Sequence, residues 1–137
     1  MTENPLQPIL DRIHEPWWSG ISCGEGWHGF LLELDARLAS MDPDYTIQQV
    51  KEKFGTLRYY ASPSEAYRDS NQEAYQKYES AFQRAIRAAE LKSSTTCENC
   101  GAADGSLKVR EGAWRTLCGA CGDKMGFRAH SMAVDDE

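Results

Sequence analysis

Two cysteine pairs, Cys97-Glu98-Asn99-Cys100 and Cys118-Gly119-Ala120-Cys121, stand 17 residues apart and constrain this chain more than any other feature. Two residues between paired cysteines let the backbone turn so that both sulfurs face one ion about 2.3 Å away. Gly101 and Gly122 follow the pairs, where such knuckles need an unhindered backbone. Four thiolates close a tetrahedral shell and leave no position for water. The spacing therefore predicts one structural zinc ion on Cys97, Cys100, Cys118 and Cys121 rather than a catalytic metal. Iron, which four thiolates also suit, is the alternative. So short a segment, with few apolar side chains, depends on its metal for folding.

The remaining cysteine, Cys23, sits in the Gly-rich turn Ser22-Cys23-Gly24. It reads as a small buried thiol, the alternative being a thiol activated by the helix that starts just after it. Cysteines spaced this way suit a reducing compartment, where metal binding is commoner than disulfide formation. No apolar run reaches the roughly 18–20 residues that span a bilayer. Met1 to Leu10 has neither a basic residue nor an apolar core of the secretory kind. The expectation is a cytoplasmic protein without a membrane segment.

Helical periodicity organises the rest. Asn4 and Pro5 open a short helix over 5–14, with Leu6, Ile9, Leu10 and Ile13 on one face. Trp27, Phe30, Leu31, Leu34, Leu38 and Met41 form the apolar stripe of a second helix, closed by Pro43. Between Tyr45 and Ala61, β-branched and aromatic residues flank Phe54-Gly55, predicting two strands around a turn. Ser62-Pro63-Ser64-Glu65 reads as a capping box that starts one long helix over 63–92, along the stripe Tyr67, Asn71, Ala74, Tyr78, Ala81, Ala85 and Ala89. Lys92 to Thr96 is a polar break. The fold class is α+β, with a helical domain and a small β-hairpin over 1–92 and a four-cysteine zinc-finger domain over 93–137.

The spacing of the cysteines, together with Asn99, Gly101, Leu107, Arg110, Gly112, Leu117, Ala120 and Gly122, resembles a GATA-type zinc finger. The resemblance covers about thirty residues. It implies a treble clef: a knuckle, two short hairpins and a helix from about Gly119 to Ser131. It also implies DNA contact through basic residues, for which Lys108, Arg110, Arg115, Lys124 and Arg128 are the candidates. The whole arrangement is similar to an uncharacterised family of small phage and prophage proteins. It rests on a Gly-Trp helix, then Gln49-Val50-Lys51-Glu52-Lys53-Phe54-Gly55-Thr56-Leu57-Arg58-Tyr59-Tyr60, then cysteine pairs around Trp114-Arg115-Thr116-Leu117. That likeness implies a phage-related origin and no particular chemistry.

Charge and the lack of catalytic motifs weigh the function. The net charge is −6, and residues 94–137 hold five basic against seven acidic residues. A finger that reads duplex DNA is normally positive, because phosphate contacts need cations. Between Cys100 and Cys118 there is no His for nuclease chemistry, and no P-loop, nucleophile elbow or H-E-x-x-H occurs. His14, His28 and His130 make no motif. No small-molecule substrate is evident. The sequence thus reads as a non-enzymatic binding module, phage-derived, that docks on a protein such as a host or defence factor. The alternative is a GATA-like DNA-binding regulator. Trp17 and Trp18 are either an exposed anchor for such a partner or core, while Trp27 belongs to the core. The mixture of Lys51, Lys53 and Arg58 with Phe54, Tyr59 and Tyr60 reads as a half-buried hairpin with solvated charges. Its alternative is a surface that stacks bases or grips a protein.

Overall fold

A computed structural model describes residues 4–13 and 20–130; His14, Trp17 and Trp18 lie outside the described residues, so the two readings of the tryptophan pair are not addressed. The described residues form a mixed α+β structure with two three-stranded sheets. The regular part of the first helix, α1, is only Gln7–Leu10. Asn4 still caps the entry, its Oδ1 accepting from the Leu6 N–H at 2.9 Å. The expected run to residue 14 is cut short by tertiary pairing. The Arg12 carbonyl accepts the Ile47 N–H at 2.9 Å, and Ile13 bridges to Ile47.

Strand β1 (Ile21–Ser22), unforeseen in the sequence, pairs parallel with β2 (Thr46–Lys53). A single helical turn at Glu25–Trp27 leads into α2 (His28–Met41). The predicted stripe is its core face, with Trp27, Phe30, Leu31, Leu34 and Leu38 buried. Strand β3 (Thr56–Ser62) returns antiparallel to β2, with Lys51 opposite Arg58 and Gln49 opposite Tyr60. Phe54 and Gly55 have φ of 54° and 85°. Two left-handed residues in succession make the tight turn whose twist matches that of the strands. Glu52 holds this turn through its carboxylate, which accepts the Gly55 N–H at 2.7 Å.

The single long helix expected over 63–92 is three helices: α3 (Glu65–Ser70), α4 (Gln72–Gln76) and α5 (Ala81–Ser93). Side chains that compete for the backbone explain the breaks. The cap of α3 is Ser64, not Ser62; its hydroxyl accepts the Tyr67 N–H while its own N–H and O–H go to the buried Asp42. Tyr78 turns left-handed at φ 58°, and Ser80 with Gln83 then forms a full capping box for α5. The alanines of the last stretch let α5 lie close against α2 and β3. There it covers the outer edge of the sheet. The Ser93 hydroxyl accepts the Leu57 N–H at 2.9 Å, and Glu90 accepts that of Tyr59 at 3.1 Å. Capping these two donors blunts the edge strand against pairing with another chain.

One polar knot lies in this core. Asp35 accepts from Arg12 Nε at 2.8 Å and from the Tyr45 hydroxyl at 2.5 Å, and the Tyr45 and Tyr59 hydroxyls meet at 2.8 Å. Burial, followed by the neighbouring Tyr59 and the Asp35 bond, pushes the Tyr45 hydroxyl far above the usual phenol range. It therefore stays a donor.

The remaining elements are β4 (Ser106–Arg110), β5 (Ala113–Leu117), α6 (Gly119–Met125) and β6 (Arg128–Ala129), with β4 central in its sheet. One hairpin, β4–β5, lies between the cysteine pairs instead of the two that the GATA likeness implies. The expected helix from Gly119 to Ser131 stops at Met125. Gly126 there takes φ 80°, and the chain leaves to pair Arg128 with Val109.

The break before α5 is testable by thermal unfolding. Ser80→Ala removes the cap and costs about 1 kcal/mol. Tyr78→Gly relieves a left-handed tyrosine and is expected to be neutral or slightly stabilising. A loss near 1 kcal/mol from Tyr78→Gly, as inside a continuous helix, contradicts the break.

Candidate metal centre

The four cysteines of the two pairs come together, each from a predictable local structure. Cys97 and Cys100 lie on a tight turn in which the Gly101 N–H donates to the Cys97 carbonyl at 2.9 Å. Cys118 is the N-cap of α6, and Cys121 sits in its first turn. Their sulfurs all lie within 4.8 Å of one another, and those of Cys100 and Cys118 are 3.7 Å apart. Ligands about 2.3 Å from a shared ion at tetrahedral angles stand roughly 3.8 Å apart, so the cluster has the size of a tetrathiolate shell.

Backbone donors prepare the sulfurs for a cation. The Cys100 N–H points at Cys97 Sγ and the Cys121 N–H at Cys118 Sγ, each at 3.4 Å, and the Asn99 amide reaches Cys121 Sγ at 3.3 Å. Burial would push the Cys97 thiol up, but backbone N–H groups from Cys118, Cys100 and Asn99 outweigh it and bring it to about 6. For Cys100 the Ala102 backbone pulls downward, yet the three neighbouring sulfurs win and hold it above the ordinary thiol range. One thiolate forms readily and the next resists. A dication relieves that conflict, which is how metal binding expels thiol protons.

The knuckle is also stitched to the other half of the chain. The Glu98 carbonyl accepts the Gly26 N–H at 2.7 Å, and its carboxylate accepts the Gly24 N–H at 2.8 Å. The Trp27 indole donates to the Thr96 carbonyl at 2.9 Å. From the β5 side, the Thr116 hydroxyl donates to the Gly55 carbonyl at 2.6 Å. Gly24 and Gly26 are required here, since a β-carbon on either would collide with the Glu98 or Cys97 carbonyl oxygen. Glu98 itself is only 1% exposed, and its Oε1 has no partner among the described residues. Burial raises its carboxyl above the usual carboxylate range despite the Gly24 bond and the Arg115 guanidinium.

The predicted basic candidates are spread over the finger, with Lys108 directly opposite Arg115 across the β4–β5 hairpin. Arg110 donates to the Met125 carbonyl at 2.8 Å and stacks 5.3 Å over Phe127, so it caps the end of α6. Arg115 faces Glu98 at 3.8 Å. The stem of Lys108 lies against Gly122 and its ammonium reaches Ser106 at 3.1 Å. Lys124, in the last turn of α6, and Arg128 remain exposed. A residue that the sequence left unnoticed is Glu98. An acid between two ligands reads as solvated, and only the Gly24–Gly26 loop, distant in sequence, shows why it is buried.

Cys23 is half-buried, as a structural thiol would be. Burial first, then the Glu98 and Glu52 carboxylates, push it up to about 12. Comparison with family models, curated proteins and solved structures found no match to this chain.

Two outcomes follow. Gly26→Ala pries the knuckle from its loop and costs about 2–3 kcal/mol or more, read by denaturant unfolding; a wild-type midpoint would refute the required close approach. Cys23 alkylates at pH 8 at least about tenfold more slowly than an unperturbed thiol, because the thiolate is the reactive species and burial disfavours it. Mass spectrometry after timed iodoacetamide exposure checks this.

Proposed function

We propose that this chain is a zinc-stabilised, non-enzymatic binding module, and that residues 93–137 are a shortened treble clef whose metal is structural. The observation that carries it is the convergence of all four sulfurs within 4.8 Å of one another. A shell complete in thiolates has no opening for substrate or water, and zinc in such a shell stabilises folding rather than performing chemistry. Zinc is favoured over iron because four thiolates from two C-x2-C pairs at this separation are the usual closed set of a structural zinc site.

In this reading the module works by docking, and for the finger itself a protein partner fits better than duplex DNA. Arg110 and Arg115 are engaged within the chain. Helix α6 has seven residues, about 10 Å of helix, which is short for groove reading. A phage-derived module acting on a host or defence factor in the cytoplasm is consistent with the resemblance described above.

The native protein is expected to carry one zinc per chain by elemental analysis. A strong chelator should loosen the knuckle and, through Glu98 and Trp27, lower the melting temperature of the helical part as well. Unchanged circular dichroism and melting after complete metal removal contradict a structural ion. An affinity pull-down from bacterial lysate near physiological salt should retain one defined protein; recovery of none counts against the docking reading.

A further inference from the structure

We propose that the outer face of the β2–β3 hairpin, continued onto Trp114, is a binding surface for single-stranded nucleic acid. This goes beyond the docking reading of the finger and rests chiefly on residues of the β2–β3 hairpin.

Strand alternation puts every second side chain of the hairpin on one face. Val50, Leu57 and Tyr59 point inward and are buried. Glu52 shares that inward register, opposite Leu57, and its carboxylate is held by the Gly55 N–H. The outward register is Gln49, Lys51 and Lys53 on β2, with Thr56, Arg58 and Tyr60 on β3. The hairpin's one acid therefore lies on the inner face, and all three of its cations lie on the outer. Lys51 and Arg58 stand directly opposite each other, where like charges repel. Among the described residues none of the three cations forms an ion pair. Folding alone gives no reason to set them side by side. A bound polyanion does.

Exposed rings accompany the charges. Tyr60 is 45% exposed and Phe54, at the tip, 63%. Lys53 Nζ lies 5.6 Å from the Phe54 ring centre, Phe54 meets Trp114 edge-on at 6.5 Å, and Trp114 lies 4.6 Å from the His130 ring. Trp114 shares its sheet face with Val109 and Arg128, which extends the cationic character. From Tyr60 to Phe54 the surface runs roughly 17 Å at the rise of a β-strand. Cations for phosphates, interleaved with open aromatic faces for bases, are the elements of sequence-tolerant single-strand binding. A duplex hides its base faces and has no use for the rings. The net charge of −6 does not oppose a local site, because beyond about 10 Å it is screened at moderate salt.

The test is fluorescence anisotropy of the full, zinc-loaded chain with a labelled 20-nucleotide oligo(dT). Binding is expected at 50 mM salt, weakening with a log–log slope of about −2 for three phosphates. The triple variant Lys51→Gln, Lys53→Gln, Arg58→Gln should weaken binding at least tenfold and flatten the slope. Phe54→Ala should weaken it about tenfold with the slope unchanged. Lys53 and Phe54 are exposed while Lys51 and Arg58 are half-buried, so melting curves with zinc content confirm that each variant is folded. Should the triple variant fail to fold, Lys53→Gln with Phe54→Ala at the tip makes the same prediction. No binding at 50 mM salt, equal affinity for a 20-base-pair duplex, or indifference to the triple variant overturns the proposal. Poly-L-glutamate competing as well as the oligonucleotide at equal charge also overturns it, in favour of an acidic protein segment.

Discussion

The seam between the first cysteine knuckle and the Gly24–Trp27 loop is the constraint on which the rest of the structure depends. Within it, the Glu98 carbonyl and carboxylate meet the Gly26 and Gly24 N–H groups, and the Trp27 indole meets the Thr96 carbonyl. Trp27 is the first residue of the apolar stripe of α2, so the same ring that fills the helical core also anchors the cysteine segment. Few apolar side chains are available beyond residue 93. The satellite core there is Cys97, Leu117, Cys118, Cys121 and Phe127, three of the five being cysteines. A core so small relies on what it is tied to: the helical part on one side and, in the reading proposed above, a metal ion on the other.

That seam includes a cost. A carboxylate as buried as that of Glu98, with one oxygen unpartnered, is destabilised by its surroundings. Arg115 at 3.8 Å offsets this only in part. Burial first, and then this same acid, push the Cys23 thiol up. Charge inside this part of the molecule thus serves architecture, and the four sulfurs of the knuckles lie close enough together to hold a metal ion. Outside this seam, the β2–β3 hairpin collects three cations that form no ion pair among the described residues.

Sorting of charge by strand alternation also explains why bulk composition misleads here. Summed over the chain the protein is acidic, and summed over residues 94–137 it is acidic again. Neither sum notices that Glu52 turns inward while Lys51, Lys53 and Arg58 turn outward, because net charge carries no geometry. Arg110 and Arg115 show the converse. They count as free cations in the sequence and are engaged in the fold by a helix end and a buried acid.

Several parts of the protein were legible without coordinates. The cysteine spacing names the residues that converge, because a knuckle is a local structure and its sulfurs aim by backbone turn alone. The stripe from Trp27 to Leu38 gives α2, since 3.6-residue periodicity is a local consequence of burying one face. The turn at Phe54-Gly55 is likewise local. What the tertiary structure decided were choices between competing partners. Whether 63–92 is one helix or three depended on Asp42 holding Ser64, on the left-handed Tyr78 and the Ser80 cap, and on the chain folding back so that the Tyr67 hydroxyl of α3 accepts the Phe82 N–H of α5. Where α1 stopped depended on Ile47 taking the Arg12 carbonyl. That Glu98 is buried depended on two glycines more than seventy residues earlier. Sequence patterns record which faces must be hidden, but the hydrogen-bond partner of a given group is set by whatever distant segment packs against it.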